Sequence, residues 1–559
     1  MRILIIILLL FFFVCTGFPQ VENAPLSYPI YDFIKEMTVK KIIYGYDEGN
    51  SNLSRGEIIN YLKEIRNNEI ELSNTEKKLL SKYEIEYIPE KQNKQNSLVL
   101  FDGKDNLNKK LKEAFSDKFK VLYKYEKGDN SLHLNFIGNV FLGKEFKPFS
   151  KHNAAVMDGG IRARGTIFGH LGYFLSISKG AIFGQHDIAR LIYPDLESDF
   201  KFNENAEKLK NYDFTNAYLK YALKPAENMD LSVQLGREKI TYGYGYGNRL
   251  FLSGNTPDMD FLKLNFRYGV LNYSYIHASS AGDFNIDREK RYTKYFVANR
   301  LMIAIKDVLN FSLAESIIYN GRIDFAYLNP ILFYGFAEKS LQDRDNKSFS
   351  VDLQTNFLKN AEFTFSSFID DDELFAFVTG KTDRTEKIGY QIGGFFYEPL
   401  GLSNLAISAA YTKIRPYVYS HYDEKNAYTA YGINLGHRIG PNSDEIYSHL
   451  SYNVSNWGRF ELEYRFIREG NNIYDESGKL IKNVGGDIKI PFRDGIDDED
   501  APFLDGERVN SNEINIGFRF QIIQNFTFWL KYIYRIDNNI TKNSKSDVSF
   551  AFLRMNVDY

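Results

Sequence analysis

Residues 236–258, GREKITYGYGYGNRLFLSGNTPD, gather the side chains in this chain best placed to do chemistry. Gly243, Gly245 and Gly247 alternate with Tyr242, Tyr244 and Tyr246, and Arg237, Asn248 and Arg249 flank them. Two chemistries suit that pattern. Closely spaced glycines let backbone N–H groups approach a phosphate, as in dinucleotide-binding loops. Tyrosines stack on the apolar face of a sugar ring and their hydroxyls bond sugar hydroxyls, with Arg and Asn as polar partners. The dinucleotide reading needs a strand before the loop and a helix after it. Here the following segment, MDFLKLNFRYGV, alternates as a strand does, so that reading fails on context. A third reading involves no ligand: the run packs internally, with Arg237 and Glu238 paired to neighbouring charges and Tyr242 buried.

Familiar catalytic patterns do not occur elsewhere in the sequence. The eight histidines, at 133, 152, 170, 186, 277, 421, 437 and 449, form no H-x-H or H-E-x-x-H pair, so no metal site is expected. No G-x-S-x-G elbow is present. The acidic run DGIDDED (494–500) lacks EF-hand spacing and reads as a solvated loop, with calcium binding as its alternative. No cofactor is implied. The net charge of −3 gives no electrostatic pull toward nucleic acid.

The elements that must position the Tyr-Gly run fall into three parts. Residues 1–24 hold Arg2, an unbroken apolar run from Ile3 to Val14, and then polar residues: a secretory leader, with cleavage expected near Gly17 or Ala24. Cys15 is the only cysteine, so a mature chain without it has neither disulfides nor thiolate sites; Val14 before it fits a lipidation signal poorly. Residues 25–95 carry the helical period. Ile30, Phe33, Ile34 and Met37 share a face, and Ser54/Glu57 and Ser73/Glu76 are capping boxes ahead of apolar runs. Beyond about residue 115 the period becomes 2. Met229, Leu231, Val233 and Leu235 alternate with Asp230, Ser232, Gln234 and Gly236, and Phe526 to Arg535 does the same. Roughly 16–20 such segments, mostly about 9–14 residues long, suit strands crossing a bilayer at a tilt. Aromatics, 16% of residues, suit interfacial girdles, and the polar inner phase suits a wet lumen. Tight turns such as the one at Gly269 contrast with long charged connections at 186–211 and 471–510.

Two segments resemble the signatures of the Wzi-type capsule assembly family of outer-membrane proteins. The first is the opening stretch: Gly236-Arg237, the glycine-aromatic loop, Leu250-Phe251-Leu252, Ser253, and the turn from Asn255 to Pro257. The second is SLAESIIYNGRIDFAYLNPILFY, with Glu315, the Tyr319-Asn320-Gly321 turn and Tyr327-Leu328-Asn329-Pro330. The helical start, PIYDFIKEM and LSRGEIINYL, is similar to the family's periplasmic helical segment. The closing AFLRMNVDY resembles the C-terminal signal read by the barrel assembly machinery. Where the family often has Trp-Gly-Pro-Gly, this chain has Tyr242-Gly243-Tyr244-Gly245.

The resemblance implies an all-β transmembrane barrel of about 18 antiparallel strands. Its divisions are a leader over 1–24, a periplasmic helical segment over 25–95 that lies below or plugs the lumen, and a barrel with long extracellular loops over 96–559. It further implies a non-enzymatic, lectin-like outer-membrane protein that attaches or organises capsular or exopolysaccharide, with outer-membrane lipid and the assembly machinery as its other partners. A porin or substrate-specific channel and a barrel enzyme of lipase or protease type are the alternatives. For ligand binding the candidates are Arg237, Tyr242, Tyr244, Tyr246, Asn248 and Arg249. Gly243, Gly245, Gly247, Glu315, Tyr327, Asn329 and Pro330 are expected to be structural, with Glu315 and Asn329 satisfying lumenal hydrogen bonds.

An orientation follows from the loop lengths. Protease added to intact cells is expected to cut within 471–510 and to spare the helical segment; cleavage of that segment in unbroken cells would reverse the topology.

Overall fold

A computed structural model describes residues 20–559, apart from 51, 102–109, 111, 200–201, 204–209, 306–307, 343 and 371–385. Residues 1–19 of the expected leader lie outside the described residues. Residues 20–24 are described and buried.

Eighteen antiparallel strands close into one barrel. The first nine are β1 (Asn130–Lys147), β2 (Asn153–Ile167), β3 (Leu171–Gly184), β4 (Asn211–Ala226), β5 (Met229–Glu238), β6 (Met259–Tyr268), β7 (Leu271–Ala281), β8 (Thr293–Ile305) and β9 (Leu309–Asn320). The rest are β10 (Asn346–Thr355), β11 (Ala361–Asp370), β12 (Ile388–Tyr397), β13 (Leu405–Ile414), β14 (Ser443–Ser455), β15 (Gly458–Asn471), β16 (Glu507–Phe520), β17 (Phe526–Asn539) and β18 (Ser544–Asp558). β18 lies against β1, with Leu553 opposite Leu142 and Asp558 opposite Ile137. Tyr559 then exchanges two 2.7 Å backbone hydrogen bonds with Phe136. Closure leaves no unpaired sheet edge, which is the condition for strands to cross hydrocarbon. The outer phase is apolar and exposed, as at Leu142, Leu175, Leu301, Leu313 and Leu530. Among the described residues no helix is long and apolar enough to cross a membrane.

The wall starts at Asn130 rather than near 96. Residues 97–99 pair in parallel with 119–121, and 123–127 pair with the first residues of β1. Short turns, at 168–170, 227–228, 269–270 and 456–457, share the end of the barrel that holds Asn130 and Tyr559. Gly269 adopts the positive φ, +55°, expected of it there. The long connections 185–210, 239–258, 321–345, 415–442 and 472–506 all leave from the opposite end.

Among the described residues three α-helices within 25–95 precede the wall: α1 (Ile30–Val39), α2 (Arg55–Asn67) and α3 (Asn74–Tyr87). Both capping boxes form. Ser54 accepts from the Glu57 N–H while the Glu57 carboxylate accepts from the Ser54 N–H, and Ser73 and Glu76 repeat the exchange. Ile30, Phe33, Ile34 and Met37 of α1 pack with Ile58, Leu62, Leu80 and Tyr83, and Tyr397 and Ala406 of the wall join this core.

The segment is therefore a plug, and charge fixes its position. Four plug carboxylates meet wall arginines: Glu22–Arg164 at 3.2 Å, Asp32–Arg519 at 2.6 Å, Glu36–Arg459 at 2.6 Å and Asp47–Arg300 at 2.6 Å. With the signs reversed, Lys35 pairs with Glu362 and Lys40 with Glu398. Buried pairs of this kind add little net stability, but removing one partner strands the other charge.

Arg459 also donates to Asn453 and Ser451, so its loss empties a whole node. Arg459→Ala is expected to weaken plug docking by about 3–5 kcal/mol, the usual cost of breaking a buried pair. Limited proteolysis of the purified protein would then release fragments of 20–95 while the barrel keeps its heat-modifiable mobility. A plug as resistant as in the unmodified protein would count against the pair as the docking determinant.

Candidate functional site

The connection 239–258 leaves β5 at the long-loop end and folds into the lumen. Its lobe is pinched shut by paired backbone hydrogen bonds between Tyr242 and Leu252 of 3.0 and 3.2 Å. Gly243 N–H donates to the Gly49 carbonyl of the plug at 3.1 Å. Tyr242, Tyr244 and Tyr246 are all buried. Tyr244 donates to Asp47 at 3.1 Å and accepts from Arg300 at 3.1 Å, so the lobe, the plug and β8 meet at one guanidinium. Tyr246 donates to Glu362 of β11, which also holds Lys35, and its N–H donates to Gln391 of β12. Burial raises both hydroxyls well above their ordinary value, with Asp47 and Glu362 adding to the effect, so both stay protonated.

The remaining candidates of the run lie around this lobe. Arg237 pairs with Asp260 of β6 at 2.7 Å. Glu238 accepts from Asn23 of the plug. Asn248 exchanges hydrogen bonds with Asn255 and accepts from the Arg438 N–H. Arg249 is half-buried, and its Nη1 has no hydrogen-bond partner among the described residues. Tyr419 and Tyr428, from the connection 415–442, donate to the carbonyls of Leu250 and Phe251. The sequence reading did not single out Asp47, Arg300 or Glu362. The available signal for Arg300 is a lone arginine in the inner phase of β8, among Phe296, Ala298 and Met302.

The other side of the lumen is hollow. A cavity of about 870 Å³ runs beside α1 and α3 along β1–β4 and β14–β18. The short helix α4 (His186–Ile192) and the turn Pro194–Ser198 overhang it at the long-loop end, where Tyr193 stacks on Phe141 at 4.5 Å. Its lining mixes aromatic rings, Phe174, Phe214, Tyr447 and Trp529 among them, with Arg162, Arg519, Lys531 and Arg554 and the carboxylates of Asp32, Glu461, Glu463 and Asp558. Amides and hydroxyls, Asn139, Ser176, Asn216 and Thr527 among them, complete the lining. The lining thus offers ring faces, donors and acceptors to a polar ligand that carries apolar patches.

The second signature departs from expectation. Ser312 of β9 donates to Asp352 inside the barrel, while Leu313 is exposed on the outside, so Glu315 belongs to the outer phase. Its carboxylate accepts from the Tyr334 N–H at 3.0 Å and from Asn299 at 2.8 Å. Asn329 is exposed in the same outer connection, where its side chain accepts from the Ile331 N–H and its carbonyl accepts from Tyr334. Tyr327 is wholly buried and donates to Asp345. The Pro330 carbonyl accepts from Tyr273. The expectation of lumenal bonds for Glu315 and Asn329 is therefore corrected: a strand pattern groups residues by phase, and the covered outer phase here carries charged groups, as the lumen does.

Among the described residues no group of three or more His, Cys, Asp or Glu side chains converges as a metal site. In the acidic run, Asp497 is held by Arg493 and Asn483.

Residues 196–521 match the family described as capsule assembly protein Wzi. The fold is similar to that of Wzi from Escherichia coli, an outer-membrane protein involved in group 1 capsule assembly and a carbohydrate-binding β-barrel. The TM-score is 0.56 and the identity 12%, over 96% of this chain and 99% of that one. OprD, an outer-membrane protein of Pseudomonas aeruginosa, matches at a TM-score of 0.42 and 12% identity, over 77% of this chain and 93% of that one, too distant to carry an argument. No curated protein matches the chain.

Gly247 has φ +74°, and a Cβ there would sit 2.7 Å from the Tyr447 ring; Gly243 has φ +90°. Valine is expected to cost about 1–2 kcal/mol for the left-handed backbone at either site, and about 1–3 kcal/mol more from overpacking at 247. The yield of heat-modifiable barrel should fall for both variants, further for Gly247→Val. Normal yields from both would show that the lobe does not need glycine there.

Proposed function

The chain belongs to the capsule assembly protein Wzi family, and on that premise we propose that it is an outer-membrane barrel that holds capsular or exopolysaccharide at the cell surface without chemically altering it. The lumenal cavity is its binding site for a segment of the glycan. The observation that carries this reading is the cavity's lining. A sugar presents C–H faces to aromatic rings and hydroxyls to donors and acceptors, and Trp529, Tyr447 and Phe214 stand there beside charged, amide and hydroxyl side chains. At about 870 Å³ the cavity lies toward the upper end of ordinary small-ligand sites, room for a short run of sugar units.

The porin reading has less behind it. Arg300 and Arg459, which would attract a permeating anion, are already neutralised by plug carboxylates, and the lobe 239–258 occupies the lumen across β8, β11 and β12. In this reading Tyr244 and Tyr246 position the lobe, and the sugar-stacking role passes to the aromatics of the cavity.

Trp529→Ala, in a barrel that folds, is expected to weaken glycan binding by about 1 kcal/mol, close to a factor of five. Whole cells should correspondingly shed more polysaccharide than cells that carry the unmodified protein. Planar-bilayer recordings of the unmodified protein should give no steady, large open-channel current. Unchanged retention in the variant, or a stable porin-like conductance, would overturn the assignment.

A further inference from the structure

The connection 321–345 does not rise away from the rim. It folds back over the outer wall of β7–β10, and its helix α5 (Tyr334–Ser340) lies against that wall. Beneath it an aromatic and aliphatic outer phase, with Tyr275, Val297, Ile317 and Tyr319, also carries two charged groups, Glu315 and Lys347. Glu315 is capped by the Tyr334 N–H, Lys347 pairs with Glu338 of α5 at 3.1 Å with both side chains nearly inaccessible, and Tyr275 donates to the Tyr327 carbonyl. Left bare toward hydrocarbon, a carboxylate and an ammonium at these positions would be costly. The connection supplies their partners and excludes both water and lipid from them.

Its far face is the reverse. Phe325 and Ile331 are each 86% exposed and Phe336 is 71% exposed, with Ile323 and Phe333 beside them. Solvent-facing loops rarely present so many large apolar groups together. The depth fits a different solvent. Glu315 lies five residues below Asn320, roughly 17 Å along the strand at ~3.3 Å per residue, or about 13 Å of depth at the usual tilt. Just below the flap the wall continues with exposed Leu271, Leu301 and Leu313. The apolar face is thus continuous with the surface that meets acyl chains.

Resting on the reading of this barrel as a membrane protein, we propose that 321–345 is an outer-wall flap whose Phe325, Ile331 and Phe336 insert into the acyl region of the outer leaflet, replacing a stretch of wall that carries two charges by a lipid-facing one. The flap would hold the barrel at a fixed rotation and depth in the leaflet through which the glycan must be presented.

The test uses single cysteines at 325, 331 and 336 in a Cys15→Ser background, each spin-labelled in the reconstituted, heat-modifiable barrel. Three sites are used so that a variant that fails to fold leaves two. Leu313→Cys is the lipid reference and Ile481→Cys, in a long connection, the water reference. Collision with oxygen relative to a water-soluble nickel chelate is expected to match position 313 within about twofold and to exceed position 481 severalfold. A ratio like that of position 481 would place the flap in water and overturn the proposal. Shielding from both reagents would overturn it in favour of contact with a second copy. A water-like ratio at position 313 itself would instead sink the membrane reading, and the flap with it.

Discussion

A buried charge must be matched, and in a closed barrel half of every strand faces inward. That constraint organises this molecule. Arg164, Arg300, Arg459 and Arg519 project from four different strands into a lumen too wide for wall side chains alone to fill. Desolvating such groups without partners is prohibitive, and pairing them gives little net stability, so what the pairs supply is position. Glu22, Asp32, Glu36 and Asp47 answer them from one short stretch of chain, and α1 is thereby set in a defined rotation and depth.

The Tyr-Gly lobe extends the same logic from the opposite end. It descends until Tyr244 reaches the Arg300–Asp47 pair and Tyr246 reaches the Lys35–Glu362 pair. Two pieces of chain that enter the barrel from opposite rims thus share the same polar nodes. Glycine is required because Gly243 and Gly247 hold positive φ and a Cβ at 247 would meet the Tyr447 ring. Filling is uneven: the plug and lobe pack the side bounded by β8 and β11–β13, and the β1–β4 and β14–β18 side keeps a hollow lined by both aromatic and polar side chains. Rigidity and vacancy are arranged side by side, which is how a scaffold can hold a binding surface in a fixed geometry.

The outer wall shows the constraint acting in the other direction. Where the phase that faces lipid carries Glu315 and Lys347, a segment of the chain folds over it and provides Tyr334 N–H and Glu338 as partners. The same need for polar satisfaction accounts for the plug inside and the flap outside, and neither element is needed to close the sheet.

By itself the sequence determined what is local or periodic. Alternation over ten or more residues marked the wall strands, because a pleated strand turns successive side chains to opposite faces. Ser54/Glu57 and Ser73/Glu76 marked helix starts, because a capping box is complete within four residues. The lengths of the connections separated the two ends of the barrel. The tertiary structure alone decided which side of the wall a phase faces once a loop covers it, as Glu315 demonstrates, and where the tyrosines of 242–246 are used. It also decided which charges meet: Asp47 and Arg300, or Glu36 and Arg459, are hundreds of residues apart and carry no mark of each other. A period of two records that residues share a face. What that face touches depends on closure of the whole sheet and on the segments that fold back into or over it, and no stretch of sequence contains that information.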